Sequence, residues 1–321
     1  MNNHSKPPAS SLSIWAAMIA VYIAWGSTYL AMRFAIETIP PFLMAGLRFL
    51  IAGSLLYIWR RLAGDARPRL NHWRSGAIVG LIMLTGGNGG VVWAEQYVAS
   101  GIAALLVASS PLWMILIDII RPHKQHQRPA WGTIAGVLIG FVGILLLVGP
   151  SELTGLKGDI NPVGAAVLTF AAFMWALGSL YSRTADLPES PLMGTSLEML
   201  CGGAGLLILS TFTGQWSQLH LAAISLKSLA GLGYLVVFGS LIGFGAYTWL
   251  LRVAPTSLVS TYAYVNPLVA IFVGNLLAAE PVNLRIVIAT AIIVGSVVVI
   301  TLTQPAVAKK ETLPTPVEPC G

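Results

Sequence analysis

Apolar residues run along this chain in blocks of about twenty, at 12–34, 41–60, 74–94, 100–120, 129–149, 162–183, 191–213, 228–251, 257–279 and 283–303. An α-helix of ~20 residues crosses the roughly 30 Å of hydrocarbon in a bilayer, so each block predicts a membrane span. A helix satisfies its own backbone polar groups, which lipid cannot do. Pro40, Pro41, Pro68, Pro129, Pro188, Pro191 and Pro281 punctuate short loops between the blocks. The pattern predicts an all-α integral membrane protein of ten transmembrane helices. The first block lacks a small-residue cleavage site leading into a polar chain, which predicts a retained helix and not a signal peptide. Residues 1–11 read as a tail, and 304–321, with four prolines, two lysines and two glutamates, as a disordered one.

The blocks fall into two similar halves, 12–149 and 162–303, with 150–161 as the connection. At an offset of 156, "VASSPLWMILI" (107–117) lies under "AYVNPLVAIFV" (263–273), and Trp93, Gly87 and Gly89 meet Trp249, Gly243 and Gly245. At an offset of 150, "PFLMAGLRFLIAG" (41–53) lies over "PLMGTSLEMLCGG" (191–203), setting Arg48 against Glu198 and Gly53 against Gly203. At 152, "GSTY" (26–29) lies over "GSLY" (178–181). The matches keep the same order in both halves. Five spans per half reverse the chain's direction, so the second half enters from the other face. A 5+5 inverted-topology repeat is the expectation, an architecture shared by many secondary transporters.

Composition agrees. Of 321 residues 56% are hydrophobic and 9% charged, with mean hydropathy +0.78, where a soluble domain is about a quarter charged. A net charge of +6 raises nucleic acid as a partner. The basic residues lie between apolar blocks, however, and describe orientation better. With the N-terminus in the cytoplasm, Lys6, Arg60, Arg61, Arg67, Arg69, Arg74, Arg121, Lys124, Arg128, Arg183, Arg252, Lys309 and Lys310 fall inside. Arg33, Lys157, Lys227 and Arg285 fall outside. The positive-inside rule then places both termini in the cytoplasm. Two cysteines, Cys201 and Cys320, are too few for a disulfide framework.

Candidate chemistry lies where polar groups interrupt the blocks. Pro111 and Pro267 each open a helical hydrogen bond within a span, and Ser110 and Asn266 stand beside them. These breaks predict either bends around a central cavity or packing kinks without a ligand. Arg48 and Glu198 are charges within spans, each seven residues past its proline. They read either as a buried ion pair, or two separate bonds to backbone carbonyls, fixing the second and seventh spans, or as groups that hold a carboxylate and an ammonium, or a coupling proton. Tyr22, Trp25 and Tyr29 share one helix face, and Trp175 and Ser179 occupy the matching face of the sixth span. With Trp93, Trp249, Tyr262 and Tyr264 they predict an aromatic pathway, the competing readings being interface belts or core packing. "GGNGG" (86–90) lacks the Lys-Ser/Thr and the preceding strand of a phosphate loop. Close helix packing or bending is expected there, and Asn88 remains a candidate ligand group. Asp118 and Glu95 read as boundary residues solvated at span ends. His123 and His126 beside Lys124 lie in a loop. No catalytic triad, metal-ligand cluster or paired catalytic carboxylates appear within the spans, so no catalytic residue, metal or cofactor is expected.

"AWGSTYLAMR", "GNGG…WAEQYVASGIAALL", "FMWALGSLYSR" and "TYAYVNPLVA" together resemble the EamA family of the drug/metabolite transporter superfamily, closest to a branch of inner-membrane permeases. The resemblance covers residues 12–304. It implies ten helices in a 5+5 inverted repeat, both termini inside, and export of small metabolites, often amino acids or derivatives, or of toxic compounds. The family often carries a Gly-Glu pair after the ninth span. Here Ala279-Glu280 stands there, which keeps the acid and puts the glycine turn in question. The resulting expectation is a secondary transporter and not an enzyme, in the bacterial inner membrane. Its expected partners are a small-molecule substrate and the bilayer, with a proton and a second copy of the chain as candidates and no nucleic acid. A passive channel and an intramembrane lipid-modifying enzyme are the rival classes.

Overall fold

The structure, a computed structural model, describes residues 10–120, 131–148, 161–254, 256–259 and 261–303. The two tails, the connection around 150–160 and the His123/His126 pair lie outside the described residues, as do the side chains of Asp118 and Tyr264. Every regular element among the described residues is helical. Among the described residues, seven stretches are long and apolar enough to cross a membrane: Ser11–Ala35, Pro41–Leu62, Leu70–Ala94, Ser100–Ile117, Pro162–Ser182, Pro191–Phe212 and Leu226–Tyr247. Shorter apolar helical stretches at Ile134–Leu147, Val265–Ala278 and Leu284–Val299 accompany them. Large apolar side chains face outward along them, among them Ile19 and Ile23, Leu55 and Ile58, Val142 and Leu145. Such a surface suits lipid and would aggregate in water.

The helix starts follow the sequence. Helix α1 (Ser11–Ala35) begins where the Ser10 hydroxyl accepts from Ser13 N at 3.2 Å. Helix α2 (Pro41–Leu62) has proline in its first turn, where no backbone donor is missed. Helix α3 (Leu70–Gly80) continues through a π-helical stretch, Leu81–Asn88, into α4 (Gly89–Ala94). The fourth span is two helices, α5 (Ser100–Val107) and α6 (Ser110–Ile120). Helix α7 is Trp131–Val148. Helix α8 (Pro162–Ser182) starts where Asn161 Oδ1 accepts from Val163 N and Gly164 N at 2.9 and 3.1 Å. Helix α9 is Pro191–Phe212, and α10 is the short turn Gln215–Gln218. Helix α11 (Leu226–Tyr234) passes through a second π stretch, Leu235–Ile242, into α12 (Gly243–Val253). The short α13 (Thr256–Val259), then α14 (Tyr262–Ala278) and α15 (Leu284–Thr303), complete the chain.

Small residues set the closest seams, as they do wherever membrane helices pack through their backbones. A Cβ at Gly53 would stand 2.9 Å from Met199 Cβ, and one at Gly203 3.1 Å from Gly46 O, so α2 and α9 lie backbone to backbone. Helix α7 packs on α15 in the same way: a Cβ at Gly143 would stand 2.8 Å from Ile293 Cγ1. Helix α1 packs on α14 and on the Leu226–Val253 span, while α8 packs on α5, α6 and the Leu70–Ala94 span. "GGNGG" forms no loop. It closes the first π stretch and opens α4, with Gly87 about 3.4–3.5 Å from Ala171 O and Trp175, counted from the Cβ it lacks.

Candidate functional site

The two prolines behave differently. Pro111 leaves the Val107 carbonyl without its helical donor, and the Ser110 hydroxyl donates to that carbonyl at 2.6 Å. The Ser109 hydroxyl likewise donates to Leu106 O at 2.6 Å, and the span breaks there into α5 and α6. Pro267 does not end its helix: α14 runs through it, and the interruption of the ninth span comes earlier, ahead of Tyr262. Both prolines, with Ser110 and Asn266, face the same cavity.

That cavity offers about 140 Å³ of free volume, close to the ~150 Å³ that admits a benzene ring. Its wall is drawn from α1, α2, the Leu70–Ala94 span, α5, α6, α8, α12 and α14. Of the residues singled out by sequence, Trp25, Tyr29, Arg48, Asn88, Ser110, Trp175, Tyr262 and Asn266 line it. Trp25 is its aromatic hub, standing edge-on to Phe244 and Tyr262 at 5.2 Å each and donating from Nε1 to Gly239 O at 3.1 Å. Tyr22 lies behind it, hydrogen-bonded to the Thr261 hydroxyl. Trp93 packs at a tilt against Tyr97, Ser179 touches Met83, and Trp249 is 36% exposed; none of these lines the cavity.

Arg48 and Glu198 do not pair. Arg48 is 4% exposed, and its Nε donates to the Ser240 hydroxyl at 3.0 Å, in the second π stretch. Among the described residues no ion pair joins it to Glu198, which lies away from the cavity. The reason is helical phase. Gly46, Leu50 and Gly53 of α2 face α9, and Arg48, two residues past Gly46, points about 200° around the helix from that seam. Glu198 is displaced from Gly203 on α9 in a similar way. Arg48 Nη1 is buried without a partner, and so are Asn88 Oδ1 and Asn266 Oδ1.

Sequence reading missed a second charged cluster. Glu280, 6% exposed, accepts from Ser100 N at 3.0 Å, Ser100 Oγ at 2.8 Å and Gly101 N at 3.1 Å, and pairs with Arg33. It therefore caps the start of α5, where an anion meets free backbone N–H groups. The turn that delivers it is made by Ala279 at φ 50°, a conformation costing an alanine ~1–2 kcal/mol that glycine would avoid. Glu95, one residue past the Leu70–Ala94 span, is not solvated at a boundary as its position suggested. It is 3% exposed and neither carboxyl oxygen has a partner. Burial pushes its carboxyl well above the usual range; Glu280 adds to this, and Arg33 and Arg48 oppose it.

Apolar helices packed around a partly polar cavity are the make-up of a multi-pass membrane protein. The sequence profile of the EamA-like transporter family matches residues 12–149 and again residues 162–302, so the chain belongs to that family, with its domain present twice. It is 39% identical to the protein named "Uncharacterized inner membrane transporter YedA" of Escherichia coli K12, over 91% of each chain. It is 25% identical to "Uncharacterized transporter sll0355" of Synechocystis, over 83% of each. A solved structure titled "Crystal structure of protein" superposes with a TM-score of 0.61 at 20% identity, covering 91% of this chain and 97% of that one, which speaks for the fold alone. The protein is a multi-pass inner-membrane transporter and not an enzyme.

Proposed function

We propose that this transporter is a secondary exporter of small organic metabolites, amino acids or derivatives, or of toxic compounds. It works by alternating access between two five-helix halves of opposite orientation, with both termini cytoplasmic. The observation that carries the reading is the cavity, whose wall combines Arg48, Asn88 and Asn266, from α2, the Leu70–Ala94 span and α14, with aromatic residues of α1, α8 and α12. Such a mixture suits an amphipathic solute better than a bare ion. The packing supports two equivalent halves. Exchanging the halves carries the α2–α9 and α7–α15 seams onto themselves and α1 with α14 onto α8 with α5 and α6. Both halves carry a π stretch in the corresponding span, Leu81–Asn88 and Leu235–Ile242. The sidedness of lysine and arginine supports the orientation.

The test compares medium metabolites from cells making the wild-type protein with cells making Arg48→Ala, at matched amounts in the membrane. A solute enriched only by the wild type is expected, with uptake into inverted vesicles that saturates and shows counterflow. Equal media, together with non-saturating flux, would sink the exporter reading.

A further inference from the structure

We propose that the cavity is a site for small aromatic monocarboxylates that carry no ammonium group, with Arg48 Nη1 as the partner of the carboxylate. This rests on the transport reading and, within its small organic metabolites, sets zwitterionic amino acids aside.

Four observations carry it. First, Arg48 has one nitrogen engaged, Nε on Ser240, while Nη1 is buried with no acceptor. A buried guanidinium N–H without a partner is costly, and a carboxylate is the acceptor whose planar geometry fits it. Second, no aspartate or glutamate lines the cavity, so Arg48 is its only charged wall residue among the described residues. An ammonium group would find no counter-ion there. Third, no acid is bonded to Arg48 among the described residues. Glu280 is committed to Arg33, Ser100 and Gly101. Glu95, whose carboxyl burial and the Glu280 charge push above the usual range, makes no bond to Arg48. The guanidinium therefore has no carboxylate bonded to it among the described residues, and a solute carboxylate in the cavity supplies one. Fourth, the free volume of about 140 Å³ is on the scale of one aromatic ring, and Trp25, Phe49, Trp175 and Phe244 line it. Asn88 Oδ1 and Asn266 Oδ1, both buried and unpartnered, are neutral acceptors for a hydroxyl or amide N–H on the solute.

The probe is radiolabelled 4-hydroxybenzoate, which combines carboxylate, ring and hydroxyl, bound at equilibrium to the purified full chain in lipid nanodiscs. Saturable binding is expected, displaced by benzoate, and not displaced by L-phenylalanine or benzylamine at the same concentration. Arg48→Met should weaken binding by about ten-fold or more, the scale of one charge-assisted hydrogen bond. Arg48→Lys, which keeps the charge and loses the fork, should fall between. Glu198→Gln should bind like the wild type. Because the competition series uses only the wild-type protein, a variant that fails to fold does not decide the matter. Absence of saturable 4-hydroxybenzoate binding, or displacement by benzylamine or L-phenylalanine as effective as by benzoate, overturns the proposal. The transport reading fails separately: carboxylate binding with no solute exported would leave the site and remove the exporter, while export of an amine would do the reverse.

Discussion

At the scale of single residues, the informative side chains are polar groups that hydrocarbon-level burial leaves without partners. Arg48, Asn88 and Asn266 were legible because each stands out within an apolar run. Glu95 was not, because the end of a span can face water or be roofed by other helices, and sequence does not distinguish the two. The structure buries it where the charges of Arg33 from α1, Arg48 from α2 and Glu280 from beyond α14 act on it. Its raised pKa has a stability consequence with a definite sign. The folded protein holds a proton on Glu95 that the unfolded chain releases near pH ~4.3, so stability falls as pH rises from there through the folded value. Glu95→Gln cannot ionise and escapes that loss. The unfolding midpoint of the wild type should therefore drop relative to Glu95→Gln as pH is raised from 5 to 8 on the order of that window, with the two closest at the acid end. Parallel pH profiles would mean that Glu95 is already ionised in the folded protein. The Arg48–Glu198 pairing failed for a different reason. Counting residues from each proline gave their depth in the membrane, but not the face, which the Gly46–Gly53 and Gly203 seam sets.

At the scale of helices, apolar length and proline starts made the spans readable, since Pro41, Pro162 and Pro191 all open helices where the sequence put edges. The π stretches were not readable. One extra residue in a turn changes which backbone amide meets which carbonyl without altering the apolar pattern. Nor could sequence say that Ser110 would rescue the Val107 carbonyl while α14 ran on through Pro267. Glycines beside the second π stretch give a sharp test. A Cβ at Gly243 would stand 2.3 Å from Trp25 Nε1, whereas one at Gly233 meets nothing within 4 Å. Gly243→Ala should cost about 1–3 kcal/mol through overpacking and displace the indole that forms the cavity hub. Gly233→Ala should be neutral or stabilising by up to about 1 kcal/mol, from helix propensity alone. Thermal unfolding of both variants, with 4-hydroxybenzoate binding as the second readout, separates them. Equal behaviour would mean that α12 shifts freely away from α1.

At the scale of the whole molecule, two similar halves allow two related packings, and an interaction made in only one of them acts as a gate. The cluster of Glu280, Arg33, Ser100 and Gly101 ties the end of α14 to the end of α1 and the start of α5. In the proposed orientation all of these lie on the outer face, while the cavity lies deeper, at Ser110 and Asn266. If the cluster closes the outer side, Glu280→Ala should move the population toward an outward-open state, beyond the loss of a helix cap worth about 1–3 kcal/mol. The readout is a single cysteine at position 110, in a chain whose Cys201 and Cys320 are replaced by alanine, labelled in intact cells by a thiol reagent that cannot cross the membrane. Labelling should be slow with Glu280 and several-fold faster with Glu280→Ala. Glu280→Gln should be intermediate, since it keeps an acceptor for Ser100 and Gly101 but loses the charge facing Arg33. A lower unfolding midpoint with unchanged labelling would make the cluster a cap on α5 and nothing more. Faster labelling from the cytoplasmic side alone, measured in inverted vesicles, would place these helix ends on the inner face and reverse the orientation.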